Sequence, residues 1–345
     1  MKIVVCQGEA IGGEPSRDKL IEYWKEQLAD CSDLEVVYRN GFDFNRIDEI
    51  VQDADALLGA WIRDDFFNEE FFKNHPKLKY IASFAHGFGR IDREAAKKYG
   101  VTFTNTIYGD MTIAQFAMAL LLDICHNIRL QDANYKKALE EGRPGFGIGV
   151  QSRQIELYEK TFGIIGLGSI GLWAGRMAAG FGMKVIGYSR HKKTGSEYDF
   201  IEQVSLDEIL ERSDVISIHC PLTDETFEMI NKDTIAKMKD GVILINTARG
   251  AIIHEPDLVD ALNSGKIYAA GLDVVAGEPL HEKCELMNCP NAVITPHIAW
   301  APEEARYRTI KIAAQNFKNW MNGAPTSTIN SCIIKLLYFF QNISI

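Results

Sequence analysis

The chain has 345 residues and a formal charge of -10, long enough for two α/β domains and too acidic to present the basic footprint of a nucleic-acid surface. Its seven cysteines, at positions 6, 31, 125, 220, 284, 289 and 332, are odd in number and scattered, without the paired spacing of a zinc site or a disulfide framework. Reduced thiols, a cytoplasmic setting and no metal follow as expectations.

The first residues, MKIVVCQGEAIGG, read as a strand entering a glycine loop, since a secretory signal needs a longer apolar stretch and a small-residue cleavage site. Short apolar runs then recur at 3–6, 35–38, 56–58, 80–83 and 101–104, separated by charged helix-like segments. This alternation predicts a parallel α/β sheet. Residues 112–128 suit a buried connecting helix, and a Gly-rich loop follows at 142–149.

A short strand at 162–165 leads into Gly166, Gly168 and Gly171 at G-x-G-x-x-G spacing, with Ser169 and Ile170 opening a small-residue helix. Gly166 permits the tight turn, Gly168 lets a pyrophosphate approach the backbone, and Gly171 allows close helix–strand packing, with phosphate charge at the helix N-terminus. This predicts a dinucleotide site. After the next strand, 184–188, an NAD enzyme normally presents Asp or Glu to the ribose hydroxyl, but this chain offers Ser189 and Arg190, followed by Lys192 and Lys193. With no carboxylate to repel a 2′-phosphate, NADP(H) is favoured and NAD(H) is second, because charge-assisted bonds from Arg grip phosphate strongly. The competing reading is a solvated basic surface run.

Further strands are expected at 215–218, 242–245, 269–272 and 293–295, then an amphipathic helix over 302–322. The last residues, 331–345, are apolar but too short and interrupted for a membrane span of about 20 residues. The predicted architecture is two open parallel-sheet domains. A Rossmann domain, 109–298, is inserted into a flavodoxin-like substrate domain made of 1–108 and 299–330, with a ligand cleft expected between them.

Three polar residues follow strands in the cofactor half: Arg249 in INTARG, Glu278 in GLDVVAGEP and His297 in TPHIAW. Ligands bind outside the carboxyl ends of such strands, so all three can face one crevice. Reducing a carbonyl needs a proton donor and a cation near the developing alkoxide. His297 suits the first task, with Glu278 orienting it, and Arg249 suits the second while gripping a carboxylate. A 2-oxo acid fits. Each residue alone also has an ordinary structural reading, as ion-pair partner, loop carboxylate or hydrogen-bonded histidine.

Together the stretches ELYEKTFGIIGLGSIG, HCPLTDET, INTARG, GLDVVAGEP and TPHIAW make the chain resemble the D-isomer-specific 2-hydroxyacid dehydrogenase family, over residues 2 to about 330. The resemblance implies Arg249, Glu278 and His297 as the catalytic set and Asp273 near the nicotinamide. It also places Cys220, Pro221, Thr226, Thr247 and Ala248 along the cofactor groove; Cys220, at the end of a buried strand, reads by itself as a packing residue rather than a nucleophile. In the first domain it places a glycine loop on the substrate carboxylate, here FAHGFGRID, with Gly87, Phe88 and Gly89 as candidates and His86 as a loop residue.

Departures include Gln115 where a glutamate is common, His254 where an aspartate often precedes Glu255, and the absent acidic ribose ligand. His-Ile-Ala-Trp resembles the glycerate dehydrogenase and hydroxypyruvate or glyoxylate reductase branch, which implies a small 2-oxo/2-hydroxy acid substrate, with Trp300 either walling the pocket or packing in the core. A homodimer through the cofactor domain is implied as well. Two other readings remain: a dehydrogenase for a different D-2-hydroxy acid, and a nucleotide-sensing corepressor-like interaction protein on the same fold.

Overall fold

The computed structural model describes residues 1–10, 12–61, 66–85, 91–143 and 152–330. The chain divides into two compact units, Met1–Gly109 with Ala301–Ile345, and Asp110–Trp300.

In the first unit, strands β1 (Lys2–Cys6), β2 (Glu35–Arg39), β3 (Ala56–Ala60), β4 (Tyr80–Ser83) and β5 (Thr102–Thr104) form a parallel sheet in the order β2-β1-β3-β4-β5. That is the flavodoxin-like order. Strands β3 and β4 are buried along their whole length, as a parallel sheet covered on both faces requires. Helices α1 (Arg17–Gln27), α2 (Ile47–Val51), α3 (Glu69–Asn74) and α4 (Arg93–Lys98) connect the strands.

One face carries an aromatic core of Phe67, Phe71, Phe72 and Phe103. On the other, the C-terminal helix Glu303–Met321 sets Ile310, Ala313, Ala314 and Phe317 against Ile3, Val5, Leu20, Trp24 and Tyr80. The chain then returns beside β5, where the Asn330 side chain accepts from Phe103 N and donates to Val101 O at 3.0 and 2.7 Å. Both ends of the sequence thus build one sheet unit.

In the second unit, helices α5 (Asp110–His126) and α6 (Ile128–Glu140) precede β6 (Thr161–Ile165), α7 (Ser169–Gly180), β7 (Lys184–Tyr188), β8 (Glu202–Gln203), α8 (Leu206–Arg212) and β9 (Val215–Ile218). There follow α9 (Lys232–Lys237), β10 (Val242–Asn246), α10 (Glu255–Ser264), β11 (Ile267–Leu272) and β12 (Ala292–Ile294). The seven strands are parallel in the order β12-β11-β10-β9-β6-β7-β8. Strand β8 is two residues long, too short to leave an alternating pattern, and the sequence reading has no strand there.

The segment Asp110–Glu140 has the length and apolarity of a membrane-crossing helix. Its composition has a different cause. Helix α5 lies against α7, β10 and β11 and buries Ala114, Ala117, Leu120, Leu121 and Ile124, and Asn127, in left-handed backbone at φ 47°, separates it from α6.

Candidate active site

The chain leaves β6 through Gly166, whose φ of 106° suits glycine. A Cβ there would stand 2.6 Å from Cys220 N, and one on Gly171 would stand 2.2 Å from Gly166 O. At Gly168 nothing lies within 4 Å of that position. Two glycines therefore serve packing, and the middle one leaves open space.

Helix α7 starts at Ser169 with no side-chain cap and no acid in its first turn, so its first N–H groups remain available to an anion. Ile170 is partly buried and packs against the core. Nearby strand ends carry buried polar atoms, Thr247 Oγ1 and His219 Nδ1, with no hydrogen-bond partner among the described residues. Open backbone, a free helix terminus and orphaned polar atoms fit a dinucleotide.

The groove residues after β9 are fixed by their own contacts. His219 Nε2 meets Ser217 Oγ at 2.8 Å, and burial pushes its imidazole down to about 4, so the ring is neutral. Burial pushes the Cys220 thiol up to about 11. Neither is set up for acid or nucleophile chemistry at neutral pH. Thr226 Oγ1 donates to Pro221 O at 2.7 Å and accepts from Thr223 N at 2.8 Å, closing the loop.

Beyond β7, Ser189 Oγ donates to His191 O at 2.7 Å, and Lys192 is exposed. Lys193 is held through its backbone by the Gln203 side chain. The expectation that no carboxylate stands at this tip is corrected: Glu225 Oε2 lies 3.0 Å from Arg190 Nη1. Glu225 is 35 residues away in sequence and arrives on the loop after β9, so inspection of the β7 ending could not reveal it.

The candidate catalytic residues sit after three adjacent strands. Arg249 follows β10, Glu278 follows β11 and His297 follows β12. Buried Asn246, at the end of β10, accepts from Ala248 N and donates to Arg249 O, both at 2.9 Å, and so fixes the turn that carries Thr247, Ala248 and Arg249. The Arg249 guanidinium is exposed and donates to Ala248 O at 2.6 Å. At Gly250 a Cβ would stand 2.0 Å from Val275 C. The Arg249 turn and the loop toward Glu278 therefore touch backbone to backbone. Glu255 Oε1 secures the same loop by accepting from Ala276 N at 2.7 Å.

Glu278 uses both oxygens: Oε1 accepts from Val275 N and Oε2 pairs with His297 Nδ1, each at 2.7 Å. Burial alone would raise its pKa, but the bonds from His297 and Val275 and the charges of His297 and Arg249 outweigh it, and the carboxyl is held below its ordinary range. His297 has a φ of 54°, a left-handed backbone that costs about 1–3 kcal/mol outside glycine and asparagine and must be held by its surroundings.

Asp273, completely buried, is the clamp. Its carboxylate accepts from Thr295 Oγ1, Ile298 N and Ala299 N at 2.7–2.9 Å, while its carbonyl accepts from His297 N at 2.9 Å. Trp300 adds a bond from Nε1 to His297 O at 2.6 Å. It is half-buried and holds the histidine loop. Gly87, Phe88 and Gly89, the expected carboxylate loop, lie outside the described residues.

The sequence reading gave no role to Asn246, Gly250, Glu255 or Glu225. Asn246 and Gly250 bracket the TAR tripeptide and carry a local signal, a polar residue closing the apolar run VILI and a glycine directly after the arginine. Glu255 and Glu225 act across loops and carry none.

The family model "D-isomer specific 2-hydroxyacid dehydrogenase, NAD binding domain" matches residues 118–299. A hydroxypyruvate reductase of Blautia hydrogenotrophica is 39% identical over 336 residues, 96% of this chain and 100% of that protein. The chain belongs to the D-isomer-specific 2-hydroxyacid dehydrogenase family. Another member, a glyoxylate reductase of Thermococcus litoralis, is 39% identical over 295 residues, 83% of this chain and 86% of that one. Among solved structures on the family's fold, an acyclic imino acid reductase (Bsp5) in complex with NADPH and D-Arg has a TM-score of 0.77 at 26% identity, covering 95% of this chain and 100% of that one.

Proposed function

We propose that the protein reduces a small 2-oxo acid, glyoxylate or hydroxypyruvate, to the 2-hydroxy acid of D configuration where the product is chiral, using NADPH in preference to NADH. The observation that carries the reading is the His297–Glu278 pair at 2.7 Å, braced beside Arg249 in a chain whose relatives include a hydroxypyruvate reductase and a glyoxylate reductase. A bound reduced nicotinamide supplies the hydride. Gly166, Gly168, Ser169 and the start of α7 would hold the pyrophosphate, Cys220, Pro221, Thr226, Thr247 and Ala248 would line the groove, with buried Asp273 behind them bracing the histidine loop, and Ser189, Arg190 and Lys192 would meet the 2′-phosphate.

Glu278, kept ionised by its donors, binds His297 through Nδ1. The imidazolium then presents its Nε2 proton to the carbonyl oxygen of the substrate, and Arg249 grips the carboxylate and stabilises the developing alkoxide. Trp300 borders the small pocket. Initial rates on a panel of short 2-oxo acids, with NADPH and NADH in parallel, test the reading. Turnover of glyoxylate or hydroxypyruvate with a higher kcat/KM for NADPH is expected, and no oxidation of either cofactor by any acid overturns it.

The assembly proposed is a homodimer, in the cytoplasm, where the six described thiols are free. Ile128, Tyr135 and Leu139 of α6 are 66, 48 and 51% exposed and recur at the spacing of one helical face, which a second copy of the chain would cover. Sedimentation of Ile128→Lys against the wild type tests this. A wild-type monomer rejects it.

A further inference from the structure

The second loop at the cofactor tip was not anticipated from the β7 ending, and it changes what that tip does. Strand β6 with its glycine turn runs between β7 and β9, so Arg190 and Glu225 come from loops two strand spacings apart, about 10 Å. Their side chains meet at 3.0 Å, and each remains more than two-thirds exposed, at 68 and 69%. The ion pair therefore joins the two loops that flank the dinucleotide turn. Ser189 points its hydroxyl to His191 O, and the Arg190 guanidinium is the group that pairs with Glu225.

We infer that Glu225 is a specificity-determining residue of the cofactor site: it occupies Arg190 when no cofactor is bound and is displaced by a 2′-phosphate, but not by an unphosphorylated ribose. The inference rests on the assignment of the tip to NADP(H). An exposed carboxylate–guanidinium pair is weakly held because water and salt screen it. A phosphate with two negative charges and three acceptor oxygens binds the same fork more strongly. Glu225 thus opposes the phosphorylated cofactor in two ways, by competing for Arg190 and by repelling the phosphate. It supplies from a distant loop the carboxylate that β7 lacks, and it narrows the preference that Arg190 creates.

Calorimetric binding of 2′,5′-ADP and 5′-AMP to the whole protein isolates this effect from turnover. Glu225→Gln is expected to tighten 2′,5′-ADP by about two- to fivefold, the range set by a screened surface pair, with 5′-AMP changed less than twofold and the gain shrinking in high salt. On an Arg190→Ala background the gain should shrink, because the competition for Arg190 is gone and only the repulsion of the phosphate remains. Unchanged or weakened binding of 2′,5′-ADP, or an equal change for both probes, overturns the role of Glu225. The NADP(H) assignment is read separately from the wild type: equal affinity for the two probes rejects it, and a phosphate preference appearing only in Glu225→Gln still upholds Glu225 as the residue that suppressed it.

Discussion

Around His297 the loops are tied to each other by buried groups, whereas around Arg190 the link between loops is an exposed ion pair. In the first region Asp273 holds three donors of the histidine loop, Gly250 presses the arginine turn onto Val275, and Asn246 closes that turn from beneath. In the second, Arg190 and Glu225 meet in water. Under the proposed function, the difference follows from what each region would do. Proton transfer and carbonyl polarisation fail with displacements of about 1 Å, so their residues need rigid support. Discrimination between phosphorylated and unphosphorylated cofactors needs only the right charge within reach. The first region is consequently costly to alter and the second is tunable.

The sharpest way to break the comparison is at the acid itself. His297→Asn should lower kcat by about a thousandfold, within the usual range for a lost general acid, while affinity for 2′,5′-ADP stays at the wild-type value. A variant retaining a tenth of wild-type turnover would remove His297 from the reaction. Next in size is Gly250→Ala, whose added methyl meets Val275 backbone rather than a flexible side chain. Overpacking of this kind costs about 1–3 kcal/mol, to be read as a lower denaturation midpoint together with reduced kcat. Arg190→Ala, by contrast, should unfold with the wild type. Equal midpoints for all three proteins would show that the two regions are not held differently.

Glu278→Gln sharpens the comparison through pH. The Glu278 carboxyl lies below its ordinary range, so the stabilisation from its pair is complete above that range and is lost as pH falls through the lowered value. On the proposed mechanism the wild-type reduction profile therefore falls on its acid side as Glu278 takes up a proton, and Glu278→Gln, which cannot ionise, should lower kcat at neutral pH and flatten that acid limb. An acid limb unchanged in Glu278→Gln would make Glu278 a purely structural bracket.

Strand positions and the glycine unit were legible because buried parallel strands leave continuous apolar runs, and because Gly166, Gly168 and Gly171 keep a fixed spacing. Arg249, Glu278 and His297 could be placed after strands for the same reason. What stayed hidden acts across loops. Glu255 reaches Ala276 over 21 residues and Glu225 reaches Arg190 over 35, and no periodicity links such pairs. Asp273 was read as a cofactor residue, yet its hold on Thr295, Ile298 and Ala299 depends on β11 and β12 being neighbours, which is a property of the folded sheet. Strand β8 was missed because two residues have no pattern.

The smallest effect belongs to the tip. Ser189→Asp places a carboxylate where an unphosphorylated ribose needs an acceptor and where a 2′-phosphate meets repulsion. Arg190 would then face two carboxylates, the new one and Glu225, and a phosphate would have to displace both. The ratio of kcat/KM for NADPH to that for NADH should fall by about fivefold, roughly 1 kcal/mol, and kcat with saturating NADH should stay within twofold because the reacting corner lies three strands away, beyond β9. Restoring salt-screened conditions should shrink the change, since the charges involved are exposed. If the two cofactors respond equally, the basic ending of β7 is solvated surface, and the contrast between a braced corner and a tunable tip loses its second half.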